Sequence, residues 1–401
     1  MMIRILLAIA FSLLIGCSQP QGNDGILKRD WKSIEANAKG SLVKLYMYGG
    51  LPKLNEWVDT YVAEEMKKRY GLSLVRVPLA ADVVVAKLAV EKGSGKNVGG
   101  VDLFWLNGEN FREARANDIL FGPFAEKLPN YVKYVDKRLA SYDFGLAVEG
   151  YEVPLGRTQF VFEYDSAEVK NPPRTFLDLL KWVTENPGRF TYPAPPDFTG
   201  SAFIRQAFYS LTGGDTLFRD GWKEAVFNNE APKLWEYLDE MKPYLWRAGV
   251  EYPKDESALE SLFATGETLI SMSYGPQHAS VKIRNKVFRP SVRTYIMNDG
   301  SFFNMHFMAI PETAPNKAGA MVVANFLLSP EAQLSKFNPA NWGDFPAIQL
   351  DALNKEQWAE FEAMDQGDAT LTPKELNKAG IPEIGAEYVK ALEKGWQENI
   401  R

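Results

Sequence analysis

The chain has 401 residues, 46% of them hydrophobic and 24% charged, which is enough apolar material for two ordinary domains with full cores. Its net charge of −6 argues against nucleic acid as a partner. The single cysteine, Cys17, excludes a disulfide framework within the chain.

The first residues differ from the rest. Arg4 supplies a short positive region and Ile5 to Ile15 is nearly all apolar. That pattern predicts a secretory signal peptide over 1–16, too short to span a bilayer. Leu14-Ile15-Gly16-Cys17 resembles the bacterial lipobox, in which the cysteine after the cut carries the lipid. Cys17 is therefore the expected lipid anchor, and the polar, breaker-rich run to Gly25 a lipidated tether over 17–25.

Leu42 to Tyr48 reads as a strand and Pro52 opens a helix to Tyr70, with Leu54, Trp57, Val58, Tyr61, Val62 and Met66 at helical spacing. Leu72 to Val77 is a second strand and Asp82 to Lys92 a second helix. Val101 to Leu106 is a third strand, with a helix to about Asn117 behind it. This alternation predicts βαβ units and a parallel sheet, whose ligands sit beyond the carboxyl ends of the strands. A β-rich run from Thr158 to Tyr164 opens a second βα set. Helices follow at Phe176 to Val183, Trp222 to Phe227, Lys233 to Trp246 and Ser257 to Thr265, and a strand at Thr268 to Ser273. Beyond Val292 to Met297, Asn298-Asp299-Gly300 signals a turn into a strand at Phe302 to Ile310. A buried-looking helix, Ala318 to Leu328, and a polar helical tail complete the chain. The chain is thus expected to cross to a second lobe near Thr158 and to return near Asp299. The first lobe would begin with 26–157, the second occupy 158–299, and 300–401 return to the first with C-terminal helices.

Arg189 to Gln206 is the most distinctive stretch. Phe190 to Tyr192 reads as a short aromatic strand, and Pro193, Pro195 and Pro196 as a stiff turn. A helix from Ala202 follows, with Thr199 or Ser201 as its cap and Gly200 allowing close backbone approach. The reading is a helix N-terminus with free N–H groups forming one wall of a ligand cleft.

Catalytic and metal signatures are missing. His278 and His306 are not at metal-ligand spacing and read as structural, and no Gly-x-Ser-x-Gly elbow occurs. Gly93-Ser94-Gly95-Lys96 follows a helix, with Asn97 where a phosphate loop needs serine or threonine. No metal and no cofactor are expected.

The chain resembles the solute-binding lipoproteins of bacterial ABC importers over nearly its whole mature length. The resemblance rests on Val101-Asp102-Leu103-Phe104-Trp105, Pro154-Leu155-Gly156-Arg157-Thr158, Pro172-Pro173-Arg174-Thr175-Phe176 and, most specifically, Tyr192 to Gly200. Gly266-Glu267 and Asn325 to Gln333 also match. In detail it is similar to the YnjB-type subgroup, distantly related to thiamine, ferric-iron and polyamine binders. The resemblance implies an α/β, two-lobed, type II periplasmic-binding-protein-like clamp with a hinge and an interlobe cleft. It also implies a periplasmic, membrane-anchored monomer that hands a small solute to an inner-membrane permease and is not an enzyme. A secreted transferase or lyase on the same fold is the alternative. Ferric-binding relatives use adjacent tyrosines, and the absence of a Tyr-Tyr pair weighs against iron.

The ligand-binding candidates pair aromatics with polar groups. Tyr46, Tyr48, Trp105, Phe198 and Tyr274 suit a flat or cationic solute. Tyr46 alternates inward along its strand, so a core position is its alternative. Asn107, Asn110, Thr199, Gly200, Ser201 and Gln277 offer amides, hydroxyls and backbone N–H groups. Glu109 and Asp197 can meet a positive group, and Arg157 and Arg205 a negative one.

Overall fold

The structure, a computed structural model, describes residues 25–219 and 221–401. The expected signal peptide, Cys17 and all of the tether but Gly25 lie outside the described residues.

Three strands of the first half, β1 (Leu42–Met47), β2 (Ser73–Pro78) and β3 (Leu103–Leu106), pair in parallel with β1 in the middle. The helix expected from Pro52 to Tyr70 is present as Pro52–Trp57 and Ala63–Tyr70, joined through a π-helical turn at Val58–Val62. Gly71 ends it at φ 63°, a left-handed conformation that costs a residue without Cβ little. Val43, Leu45 and Met47 are buried on one face of β1. Tyr46 therefore falls on the opposite face with Leu42 and Lys44, not inward as the alternation suggested, and is only half-buried.

Two strands, β4 (Tyr142–Asp143) and β5 (Leu146–Ala147), make a short hairpin. The run expected as one strand at Thr158 to Tyr164 is divided at Phe160. Its first part ends β6 (Glu152–Gln159), and its second begins β7 (Val161–Asp165). β7 is the centre of an antiparallel three-stranded sheet, flanked by β8 (Ile270–Ser273) and β9 (Val292–Tyr295). The second βα set is thus not a second parallel sheet. β10 (Ser301–Ala309) returns to the first sheet and runs antiparallel to β6 and β3, while β11 (Gly380–Pro382) pairs with it in parallel.

Each sheet has its own core. Leu45, Phe104, Phe307 and Val322 belong to the first, and Phe162, Tyr192, Phe203 and Trp396 to the second. The chain passes between them at Phe160, at 296–300 and again just beyond Pro382. That last passage adds a third crossing to the two expected. The polar tail hides an apolar stripe, Tyr388, Leu392 and Trp396, on the helix Ala386–Asn399, and the stripe fills the second core. A further tie comes from Ala369, which packs with Ala279, Phe288 and Val292, while Thr370 Oγ1 donates to Ser280 Oγ at 2.7 Å.

Phe190 to Tyr192 is extended but joins no ladder. The backbone is held by single bonds, from Trp246 N–H to Phe190 O (2.8 Å) and from Leu269 N–H to Arg189 O (2.9 Å). Both aromatic rings are fully buried. The helices expected at Trp222 and Lys233 are one helix, Glu224–Met241, with Pro232 inside it.

Candidate functional site

The distinctive stretch builds its wall differently from the expectation. The helix Phe198–Thr212 is capped by Asp197, whose Oδ1 accepts the N–H groups of Thr199 (3.0 Å) and Gly200 (2.9 Å). The Asp197 carbonyl accepts the Ser201 N–H at 2.7 Å. The amides expected to face a ligand are therefore already bonded. Gly200 does permit close approach, but to the chain itself: a Cβ there would lie 2.0 Å from the Pro193 carbonyl oxygen. Thr199 and Ser201 are buried, their hydroxyls donating to Glu256 Oε2 and Glu393 Oε1, both at 2.5 Å. Phe198 is 48% exposed and its ring lies 4.8 Å from that of Tyr274.

Behind this wall is a buried ion pair. Arg205 grips Glu383 with two bonds, Nε to Oε2 at 3.0 Å and Nη2 to Oε1 at 2.8 Å, both side chains being 2% exposed. Burial works against the Arg205 cation, but Glu383 outweighs it and holds the guanidinium above its ordinary range. The Tyr274 hydroxyl donates to the same Glu383 Oε1 at 2.5 Å, and Arg205 Nη1 donates to Ser201 Oγ at 2.6 Å. Tyr274, from the loop after β8, is thereby fixed in orientation.

Between the two cores lies a cleft of about 410 Å³. Arg157 and Thr158 of β6 and the loop Trp342–Phe345 line one side; Ser273–His278, Val281 and Glu256 line the other. Thr158 Oγ1 donates to the Tyr274 carbonyl and ties the two sides together. On the first side, Lys336 is fully buried and donates to Asp344 Oδ2 at 2.7 Å, while His306 Nε2 meets Asp344 Oδ1 at 3.2 Å. Burial opposes ionisation of Asp344, but Lys336 and then His306 outweigh it and keep its carboxyl below the usual range. Gly156 makes room for this group, since a Cβ there would meet Asp344 Oδ2 at 1.7 Å. Trp105, His306 and Trp342 form an aromatic shelf, with ring centres 4.8, 6.0 and 6.1 Å apart.

On the second side, His278 Nδ1 lies 2.7 Å from Glu163 Oε1 and Nε2 3.3 Å from Glu260 Oε2. Burial disfavours its cation, yet Glu163 raises its pKa to about 9, so the imidazole is charged at neutral pH. The expected structural role of His278 is visible in these bonds, but the residue also lines the cleft.

Of the predicted site residues, Arg157, Tyr274 and Gln277 line this cleft. Trp105 and Phe198 adjoin it through the rings of Trp342 and Tyr274. Asn107 reaches Asn304 Oδ1 at 3.5 Å, and Glu109 pairs with Lys390 at 2.6 Å on the surface. Tyr48 is 56% exposed; it, Tyr46, Asn110 and Asp197 are not brought into the cleft lining. Sequence reasoning missed Trp342, Asp344 and Glu256. Trp342-Gly343-Asp344 carries the same local signal as Trp105, an aromatic beside a breaker and a polar group.

A two-sided cleft between two α/β cores is the architecture of a capture protein. Residues 61–366 match the family of bacterial extracellular solute-binding proteins, and the chain belongs to that family. Protein YnjB of Escherichia coli (strain K12) is 37% identical over 371 residues, 92% of this chain and 93% of that protein. Among solved structures, the cyclic alpha-maltosyl-1,6-maltose binding protein of Arthrobacter globiformis superposes with a TM-score of 0.66. Its identity is 16%, and the match covers 89% of this chain and 92% of that one. The spermidine/putrescine ABC transporter substrate-binding protein PotD of Streptococcus pneumoniae gives a TM-score of 0.61 at 14% identity, over 90% and 100% of the two chains. At these identities the structural likeness establishes the two-lobed clamp fold and leaves the solute open.

Proposed function

We propose that this chain captures a small organic solute in the cleft between its lobes and delivers it to an ABC permease in the inner membrane, acting as a monomer without catalysis. The cleft between the cores carries the reading, because about 410 Å³ falls in the range of small-molecule sites. Family membership and the ABC substrate-binding proteins of the same fold support it. The solute would lie between the shelf of Trp105 and Trp342 and the pair Phe198 and Tyr274. Aromatic faces of this kind contribute ~0.5–2 kcal/mol each to a cationic or flat group. The lobes would close about Thr158–Phe162 and the return near Asp299–Phe302, where the strands change sheets.

Mass spectrometry of molecules released on denaturing gently purified protein should find about one solute per chain. Small-angle scattering should give a smaller radius of gyration for the loaded form than for the stripped one. A protein that releases nothing, and whose melting is unmoved across a broad solute panel, would sink the proposal. The mature chain is further proposed to sit in the periplasm, held to a membrane by lipid on Cys17. Support comes from Leu14-Ile15-Gly16-Cys17 and the polar run behind it. Labelled palmitate should enter wild type and not Cys17→Ser; equal labelling rules the anchor out.

A further inference from the structure

Four lysine and arginine side chains are buried among the described residues: Arg157, Arg205, Lys317 and Lys336. Three have a carboxylate. Arg205 holds Glu383 at 2.8 Å, Lys336 holds Asp344 at 2.7 Å and Lys317 reaches Glu312 at 3.5 Å. Arg157 has no carboxylate within ion-pair distance among the described residues, although it is 2% exposed. Its side chain makes one hydrogen bond, from Nη2 to the neutral Gln159 Oε1 at 3.0 Å, and it stands 5.9 Å from the Phe303 ring. Asp344 lies in the same lining but is already engaged through both oxygens, by Lys336 and His306.

A buried charge without a partner is costly, and a guanidinium has five N–H donors to satisfy. Arg157 nevertheless lines the cleft from a rigid position, in the long strand β6, with its own N–H bonded to the Phe345 carbonyl at 3.3 Å. Burial lowers its pKa to about 10, which leaves it protonated at neutral pH. Asp344 and Asp136 favour its charge from beyond ion-pair distance, and the planar fork, in a residue that lines the cleft, matches a pair of oxygens on one acid group. The other cation of the lining, His278, is already held by Glu163 at 2.7 Å and Glu260 at 3.3 Å, which leaves Arg157 for an acid group.

The geometry points to an acidic group on the captured solute, a carboxylate or a phosphate, that docks on the Arg157 guanidinium. This rests on the solute-capture reading and narrows it. The amides at Gly200 and Ser201 do not compete for that group, because both are bonded to Asp197.

Sodium acetate and sodium phosphate serve as probes, titrated against sodium chloride at equal ionic strength while melting is followed in stripped full-length protein. Wild type should be stabilised by acetate or phosphate beyond chloride, and Arg157→Gln should bind the same probe at least about tenfold more weakly. Equal responses in the two proteins, or no anion-specific response in wild type, overturn the inference. If Arg157→Gln does not fold, Arg157→Lys keeps the charge without the fork. It should bind the probe at least about threefold more weakly, and unchanged binding overturns the inference. Release of one solute per chain that bears no acidic group would keep the capture function and overturn this inference alone.

Discussion

Removing the charge pair at His278 and Glu163 should change how stability depends on pH. In the native protein Glu163 holds His278 at a pKa of about 9, against 6.5 for the ordinary side chain. That difference corresponds to about 3 kcal/mol of stabilisation. Below about pH 6.5 both the folded and the unfolded chain carry the proton, and the contribution is complete. As pH rises toward about 9 the unfolded chain has lost the proton and the native one still holds it. Stability therefore falls by roughly 1.4 kcal/mol per unit, until the contribution is gone above about pH 9. Replacing His278 alone would leave Glu163 buried without its partner, so the informative variant is His278→Gln with Glu163→Gln. Urea denaturation at about pH 6, 7.5 and 9.5 gives the stability difference between wild type and the double variant. Wild type should lose about 3 kcal/mol more than the variant across that range. Parallel profiles would refute the assignment of a charged His278 at neutral pH.

Two further substitutions test the start of the helix Phe198–Thr212 and the ion pair behind it. Gly200→Ala would place a methyl group 2.0 Å from the Pro193 carbonyl, where backbone must move, and should cost at least ~1–3 kcal/mol; an unchanged urea midpoint refutes the close approach. Glu383→Gln leaves Arg205 buried without a countercharge and should cost ~3–5 kcal/mol, whereas Arg205→Met with Glu383→Leu should be far milder; equal losses would show that the pairing is not the cause.

Much of the first sheet was legible because local pattern and tertiary fate agree there. β1, β2 and the helix ended by Gly71 follow from alternation, helical spacing and one left-handed glycine. Where long-range contacts decide, the pattern misled. Phe190 to Tyr192 has strand-forming residues but no ladder, since single bonds hold it and its flanks: Phe190 to Trp246, Arg189 to Leu269 and Ala194 to Pro253. Phe160 interrupts an unbroken β-rich run because its N–H turns to the Phe302 carbonyl, at 2.8 Å, as the chain changes sheets. Among the residues that line the cleft, Arg157 and Tyr274 stood out in the sequence at a crossover and a strand end. His278 was harder, because its partner Glu163 is 115 positions away. Trp342 lies in a loop after a helix, outside the strand ends to which the βα rule directs attention.

The helix Ala386–Asn399 locks the second lobe from outside that lobe's own stretch of sequence. Trp396 is fully buried, and its ring N–H donates to the Tyr192 hydroxyl at 3.0 Å across 204 positions. Ile400 is buried in the same core. One wall of the second lobe is therefore supplied by a segment remote in sequence from the residues that it covers. A chain clipped near the C-terminus leaves Tyr192, Tyr252 and Phe218 without their cover, an apolar face that proteases and chaperones recognise. The lobe that is to close on a solute is thus completed by a helix that reaches it only after the chain has passed through the first sheet at Gly380–Pro382.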